Sequence, residues 1–391
     1  MRSSTRSWTN ILRDPRLDRV FDIVPPLVAL LAALLVASVA LLLLDANPIE
    51  AYKAMFDGAF GNQNATAETL VKATPLIFVG IGITIAFRGG VINIGGEGQM
   101  IAGALGGTAV VLFLEDLPGA ALIGLSLLAG FAAGAIWGGL AGFLKAYFDV
   151  NEILSTIMLN LIAVQAMNFL LNNPPMRDNT SDTFNAIPKT KRILEHATLP
   201  RLEIFDLFER TRLHTGLLLA VALAFVTYIF LWRTTLGFRI RAVGRNQRAA
   251  TYAGIDPKHY MVLSMLLAGG MAGLAGVVQV LGLQYRLQTD GSPQGFTGNA
   301  GFNGIVAALF GGLHPIGTIP AAIFFGSLLV GAQKLQREIQ VSSSLITGIN
   351  GLVVVFVVSS QIFVKRRAKR RVTAANIAEE VQDIANTNTT G

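Results

Sequence analysis

Residues 89–107 read GGVINIGGEGQMIAGALGG and interrupt a long apolar run with glycines and polar side chains. The polar side chains are those of Asn93, Glu97 and Gln99. A carboxylate at membrane depth is costly and usually faces a partner or a water-filled path, and glycine allows a helix to break. A broken helix within a membrane is tolerated only where protein or a cavity covers it. The stretch therefore predicts an interrupted membrane helix close to a functional site.

A related stretch, NAGFNGIVAALFGG, occupies residues 299–312 in the second half of the chain. When Asn93 is aligned with Asn299, several small residues coincide, whereas Glu97 meets Asn303. Two interrupted apolar segments in corresponding places of two halves are typical of transporters built from inverted repeats. In such proteins the binding site lies at the repeat interface, so both stretches are expected to line a transport path.

The composition is that of a membrane protein. The chain has 391 residues, of which 52% are hydrophobic and only 14% charged, and its mean hydropathy is +0.55. Charged residues make up about 25% of an ordinary soluble domain, and many apolar runs here reach the roughly 20 residues that cross a bilayer as a helix. We therefore predict an all-α polytopic membrane protein. The absence of cysteine excludes disulfides and thiol chemistry.

Hydropathy divides the chain into about ten predicted membrane spans. Their approximate bounds are 25–44, 70–87, 91–114, 119–146, 153–171, 215–232, 260–283, 299–313, 315–332 and 345–364. A single transmembrane domain is thus expected over 25–364, with halves of five spans at 25–171 and 215–364. Because five is an odd number, two halves related as repeats must have opposite orientations in the membrane.

The segments outside the spans differ in charge. They are a basic arm at 1–24, a polar insert at 172–214, a basic segment at 233–259 and a tail at 365–391 that is basic and then polar. With ten spans the arm, the basic segment and the tail share one side, which the positive-inside rule identifies as cytoplasmic. The insert then lies outside. The net charge of +7 favours attachment to anionic lipid over nucleic-acid binding, because the basic residues cluster beside spans.

The basic segment at 233–259 reads RTTLGFRIRAVGRNQRAATYAGIDPKH. Residues 246–252 are predicted to form a short helix with Gly254 at its C-terminal cap. A compact helix with small side chains is suited to dock on another protein, and a basic loop held by lipid headgroups is the alternative. The candidate docking residues are Gly244, Asn246, Ala249, Ala250 and Gly254.

Polar side chains also follow one face of the span at 153–171, at a spacing of four or eight residues. They belong to Glu152, Thr156, Asn160 and Asn168. This stripe predicts either a hydrophilic wall of a permeation path or hydrogen bonds that hold helices together. Glu97 has two interpretations as well, because it can contact substrate or act structurally near the N-terminus of a half-helix. The candidate path residues are Asn93, Glu97, Gly98, Gln99, Thr156, Asn160, Asn299 and Asn303.

Motifs for catalysis and metal binding are absent from the sequence. There is no G-x-x-x-x-G-K-[ST] phosphate loop, no H-E-x-x-H and no Cys/His cluster. The four histidines are scattered along the chain, at positions 196, 214, 259 and 314. We therefore expect no catalytic residue, no metal site and no cofactor.

Two stretches carry a resemblance to a known family. GGVINIGGEGQMIAGALGG resembles the F-N-I-G-x-E-G-Q signature of bacterial ABC permeases of the nucleoside and simple-sugar branch. LGFRIRAVGRNQRAATYAGI resembles the cytoplasmic coupling segment of the same family. The likeness extends over about 25–365, with mild departures at Ile92, where Phe is common, and at Gly96 in the variable position. The ribose-type signature I-D-L-S-V-G is not found.

The resemblance implies an importer with inverted five-helix halves, like the type II ABC importers. It also implies a cytoplasmic ATPase that uses the ATP, a second permease subunit that makes a heterodimer, and an extracytoplasmic solute-binding protein. Within the branch, N-I-G-x-E-G-Q goes with nucleosides. The chain is accordingly expected to be a non-catalytic, multi-pass subunit in the bacterial cytoplasmic membrane, with both termini cytoplasmic.

Other functions remain as alternatives. Within the class, the solute can be a simple sugar or a branched-chain amino acid. Outside it, an ion-coupled secondary transporter also has inverted repeats. A secondary transporter has no need for a segment like that at 237–255. A membrane-embedded enzyme is a further alternative, which the lack of clustered catalytic groups disfavours.

Overall fold

The structure is a computed structural model that describes residues 46–178, 187–202 and 210–339 without a gap, together with parts of 28–43 and of 348–359. The arm at 1–24, the tail at 365–391, part of the first predicted span and most of the last lie outside the described residues. The chain forms two compact units, Met1–Ala51 with Ile339–Gly391, and Tyr52–Glu338. All the contacts discussed below lie within Tyr52–Glu338.

The described part of the chain is helical and contains no strand, only two isolated β-bridges. The helices are α1 Pro48–Phe60, α2 Gln63–Arg88, α3 Gly96–Phe113, α4 Gly119–Phe148, α5 Glu152–Asn172, α6 Gly216–Arg233, α7 Thr235–Arg245, α8 Gln247–Tyr252, α9 Pro257–Gln279, α10 Pro293–Thr297, α11 Ala300–Phe310 and α12 Pro315–Ile339. A π-turn, Val280–Gln284, continues α9.

Six of these helices, counting α9 with its π-turn, are long and apolar enough to cross a membrane: α2, α4, α5, α6, α9 and α12. The apolar helix α11 is shorter, with 11 residues, and α3 has 18 residues and begins after a non-helical break, as expected for interrupted spans. Together these eight helices lie on the eight predicted spans between residues 70 and 332. The protein is therefore an all-α polytopic membrane protein.

Glycines allow the central helices α4 and α9 to pack backbone against backbone. A Cβ atom added at Gly138 would lie 2.6 Å from the Met265 carbonyl oxygen and 2.9 Å from the Gly269 Cα atom. At Gly134 it would lie 2.7 Å from the Gly273 Cα atom. Small residues favour such close crossings in lipid, where dispersion contacts rather than the hydrophobic effect drive helix association. The pair forms the centre on which α2 and α3 also pack.

The connections lie at two opposite ends of this bundle. At one end, the Arg88 guanidinium donates to the Leu313 carbonyl with Nε and oxygen 3.0 Å apart. At the other end, Arg212 of the insert donates to both carboxylate oxygens of Glu68, at 2.7 and 2.6 Å. The insert also contacts the connection that follows α9, through the bridge between Lys189 and Gln288. The connecting loops thus lie at the two ends of the bundle, as expected for helices that cross a membrane in alternating directions.

Candidate functional site

The two stretches that the sequence relates contact each other in the structure. The first turn of α3 crosses the first turn of α11, where a Cβ atom added at Gly96 would lie 3.1 Å from the Gly301 Cα atom. Glu97 is 1% exposed and lies between the two helices. Its Oε1 atom accepts a hydrogen bond from the Phe302 backbone N–H at 3.1 Å. The carboxylate therefore lies at two helix N-termini, where negative charge is stabilised.

Asn93 and Gln99 form a reciprocal amide pair beneath this crossing. Each side-chain NH₂ donates to the other side-chain oxygen, with both distances 3.0 Å. The Asn93 oxygen also accepts from the Gly95 backbone N–H at 2.8 Å. Both side chains are buried, and these bonds direct the two amide groups toward each other. The pair consequently fixes the non-helical backbone between α2 and α3, as a helix break at membrane depth requires.

Asn160 of α5 holds the same backbone from the other side. Its Oδ1 atom accepts from the Gly98 N–H at 2.8 Å, and its NH₂ group donates to the Ile94 carbonyl at 3.1 Å. Gly98 fits closely here, because a Cβ atom would lie 2.9 Å from the Asn160 Cα atom. These contacts favour the second interpretation of the polar stripe on α5, in which it joins helices by hydrogen bonds.

The rest of the polar stripe is also engaged in contacts within the protein. Thr156 is buried and donates its hydroxyl to the Glu152 carbonyl in its own helix at 2.6 Å. Asn168 accepts from the Thr289 hydroxyl at 2.8 Å. The Glu152 carboxylate pairs with Lys145 at 3.4 Å. Glu152, Asn160 and Asn168 of the stripe therefore tie α5 to neighbouring segments, whereas the Thr156 hydroxyl bonds within α5.

Asn299 and Asn303 lie at the second break. Asn299 is exposed and has φ +64°, next to Gly298 at φ +60°. Two successive left-handed residues end α10 and allow α11 to start in a new direction. Asn303 is half-buried in the first turn of α11. The structure therefore brings six of the eight candidate path residues into one buried cluster and leaves Asn299 and Asn303 at its edge.

A cavity of about 180 Å³ lies beside this cluster, among α2, the π-turn, α10 and α12. Its polar wall consists of Lys72, Thr74, His214, Gln279, Gln284 and Thr297. None of the eight path residues predicted from the sequence lines it. The available signal was the presence of two glutamines five residues apart in apolar sequence, but only the π-turn brings them together.

His214 is a neutral residue of the cavity wall. Burial lowers the pKa of His214 from 6.5 to about 4. Its Nδ1 atom accepts from the Gly216 backbone N–H at 3.2 Å, so the ring proton is on Nε2. At the far end of the bundle, burial and the charge of Arg88 lower the pKa of His314.

The predicted helix in the basic segment is present as α8. Asn246 caps it by accepting from the Ala249 N–H at 3.1 Å, and Gly254 takes φ +75° just after it. The side chain of Ala250 is 3% exposed and packs inside the protein, so its docking role stays a prediction. The outward side instead carries Ala249 and Tyr252, the latter 93% exposed. A helix of six residues has too little pattern to indicate which side faces inward.

Trp232, the residue before the basic segment, connects that segment to the end of α2 and to the turn after α11. The guanidinium carbons of Arg88 and Arg241 lie 5.3 and 5.5 Å from the centre of the Trp232 ring. The ring of His314, in the turn after α11, lies 4.9 Å from the same ring. Cation–π contacts of this kind are worth roughly 0.5–2 kcal/mol each. The cluster joins the cytoplasmic ends predicted for α2, α6 and α11 to α7.

Interrupted apolar helices that cross over a buried polar cluster, in a polytopic bundle with a basic helical segment at one end, define a membrane permease. Residues 65–358 match the family described as the permease component of the branched-chain amino acid transport system. The chain belongs to this family of ABC transporter permeases, which are transport components. Among the described residues, no group of three or more His, Cys, Asp or Glu side chains could hold a metal ion.

Several curated proteins are similar to the chain over most of its length. The glucose permease TsgB13 of Haloferax volcanii is 36% identical over 88% of each chain. The guanosine permease NupP of Bacillus subtilis is 35% identical over 88% of this chain and 94% of its own. A second guanosine permease of that species, NupQ, is 32% identical over 66% of this chain and 78% of its own. No solved structure matches the chain.

Proposed function

We propose that this chain is the transmembrane subunit of an ATP-driven importer for nucleosides. The observation that carries the proposal is the crossing at Glu97 and Gly301, where two interrupted helices meet within the bundle. Broken helices that meet at membrane depth are a recurrent way of building a transport site. Guanosine is the solute named for NupP and NupQ, which supports a nucleoside as the substrate.

The transporter needs further subunits in this proposal. A separate ATPase hydrolyses ATP and docks on α8 and the residues around it. A second permease completes the path, and the similarity of both NupP and NupQ to this chain supports such a pair. A solute-binding protein delivers nucleoside to the opposite end, where Arg212 pairs with Glu68.

The orientation follows from charge. The end that carries Arg88 and the basic segment at 233–259 faces the cytoplasm, since basic loops stay inside. The insert faces outward, both chain termini are cytoplasmic, and the membrane is the bacterial cytoplasmic membrane. The coupling segment thereby lies on the side that contains ATP.

The test is uptake of radiolabelled guanosine by proteoliposomes that contain this chain with its ATPase, second permease and binding protein. Uptake should require ATP, persist after collapse of the proton gradient, and be absent without the ATPase. This chain alone should not hydrolyse ATP, because it has no phosphate loop. Uptake that follows the proton gradient at constant ATP would identify a secondary transporter instead.

A hexose is the second candidate solute, because TsgB13 is named a glucose permease. The two candidates are distinguished by competition in the same proteoliposomes. Excess unlabelled guanosine should abolish the uptake of label, whereas excess glucose should leave it unchanged. The reverse result would assign the transporter to simple sugars.

A further inference from the structure

The cavity beside the helix crossing deepens the proposed function and rests on it. We propose that the cavity between Gln279, Gln284 and Phe296 is a transit site that takes the flat, hydrogen-bond-donating base of a nucleoside. The site includes none of the eight path residues predicted from the sequence. It is adjacent to them, because the segment that joins α10 to α11 lines the cavity.

The π-turn shapes the cavity wall. The Tyr285 N–H donates to the Val280 carbonyl five residues earlier, at 2.8 Å, which widens the end of α9. As a result Gln279 and Gln284 both reach the Phe296 carbonyl, with nitrogen–oxygen distances of 2.6 and 3.3 Å. Single π-turns within α-helices are frequently found at functional sites.

These two hydrogen bonds fix the orientation of the glutamine amides. Each NH₂ group points to the Phe296 carbonyl oxygen. In the opposite orientation the two amide oxygens, which can only accept, would face that carbonyl oxygen, which also can only accept. The Gln284 Oε1 atom is left buried, with no hydrogen-bond partner among the described residues. A buried acceptor without a donor is unfavourable, and Gln284 lines the cavity, so the amide gains a hydrogen bond when its oxygen turns to the N–H of a bound ligand.

The size and lining of the cavity suit one ring system. Its volume of about 180 Å³ exceeds the roughly 150 Å³ in which a buried cavity holds benzene. Apolar side chains, among them Pro75, Leu283 and Phe296, line it together with the polar groups. A base has apolar faces and polar edges, whereas a hexose carries hydroxyl groups around its whole perimeter. Burying those hydroxyls against apolar walls would leave some without partners.

The position of the cavity suits a site that the solute occupies during its transport into the cell. Thr297 and Ala300, which flank the second helix break, both line it. The Thr297 side chain also lies beside the Glu97 carboxylate at the crossing. A base held here therefore contacts the segment that must rearrange if the two interrupted helices move apart.

The experiment uses the complete transporter in proteoliposomes and 6-thioguanosine, a photoreactive nucleoside. Irradiation should attach the label to residues that line the cavity, within 71–76, 275–300 or at 214 or 329, as mapped by peptide mass spectrometry. Excess guanosine should prevent the labelling, and excess glucose should not. Gln284→Met removes the acceptor at similar length and should lower both labelling and the guanosine uptake rate about fivefold to tenfold, the effect of one lost hydrogen bond.

Gln288→Met is the matched control. Gln288 is exposed in the connection after α9 and does not line the cavity, so this variant should label and transport like the wild type. If Gln284→Met does not assemble, Leu329→Phe replaces it. Leu329 is a half-buried wall residue of α12, and a larger ring there should narrow the cavity and reduce labelling.

The outcomes separate this proposal from the proposed function. Wild-type guanosine uptake together with unchanged labelling and uptake of both wall variants would overturn the transit site alone. Labelling of the wild type only at residues that do not line the cavity would overturn it as well. Failure of the wild-type complex to take up guanosine, with uptake of glucose or an amino acid in its place, would overturn the proposed function.

Discussion

Gly244 in α7 packs directly on the backbone of Arg88, the last residue of α2. A Cβ atom at Gly244 would lie 2.7 Å from the Arg88 carbonyl carbon and 2.8 Å from the Gly90 nitrogen. Arg88 in turn donates to the carbonyl of Leu313, just after α11. The basic segment thus contacts the start of the first break and, through one side chain, the end of the second interrupted helix. A displacement of the basic segment would therefore be transmitted to the first break and to the end of α11.

Gly244→Ala should therefore impair transport more than assembly. The added methyl group would press against the Arg88 backbone, and such overpacking costs about 1–3 kcal/mol. We expect guanosine uptake to fall at least tenfold while the protein still reaches the membrane. Gly124→Ala is the control, because no described atom lies within 4 Å of a Cβ atom at that helical position. Equal uptake by both variants would show that the Gly244 contact carries no coupling.

Changes on the two sides of α8 should have different effects. Tyr252→Ala alters an exposed side chain and should reduce co-purification of the ATPase while the thermal stability of the chain stays unchanged. Ala250→Glu places a charge inside the protein and should lower the thermal midpoint, since an unpaired buried charge is strongly unfavourable. Normal ATPase binding and coupling by Tyr252→Ala would favour a lipid-facing basic segment over a docking helix.

Two neighbouring changes at the helix crossing should also differ. Gly98→Leu should abolish transport, because Asn160 leaves no space for a side chain. Glu97→Gln should retain the fold and reduce uptake only in part, since the amide oxygen can still accept from the Phe302 N–H. Uptake and size-exclusion profiles measured side by side test both. Wild-type transport by Gly98→Leu would mean that the break has no role in the path.

The neutral state of His214 makes stability depend on pH. Its folded pKa of about 4 is below the ordinary 6.5, so the unfolded state takes up the proton first as the pH falls. The stabilisation is complete above about pH 6.5 and is lost toward pH 4, by roughly 1.4 kcal/mol per pH unit. The decrease in the thermal midpoint from pH 7.5 to pH 5.5 should be larger for the wild type than for His214→Asn. A variant of the exposed His259, His259→Gln, should behave like the wild type.

The sequence predicts the spans well because each apolar run is a local property. The break at Asn93 and Gln99 could be placed for the same reason, since glycine and amide residues stand out in an apolar helix. Their pairing with each other, and the bonds from Asn160, depend on contacts between distant segments. Amides and hydroxyls in lipid can line a path or join helices, and only the packing shows that these mainly join helices.

The cavity could not be located from the sequence for a related reason. It requires the π-turn, and it requires Phe296 to approach that turn from a different segment. The side of α8 that faces inward was likewise decided by packing of the whole bundle. Periodicity could not decide it over six residues.

The backbone crossing of α4 and α9 limits how this protein can change. Gly134 and Gly138 meet Gly269 and Gly273 with no side chain between them, so no neighbour can repack to make room for even one methyl group. Mutational tolerance should therefore be lowest at glycines that need not contact the solute, and a deep mutational scan would find there residues that resemble a binding site in their intolerance. Sensitivity to substitution alone is thus a poor guide to the transport path in this chain.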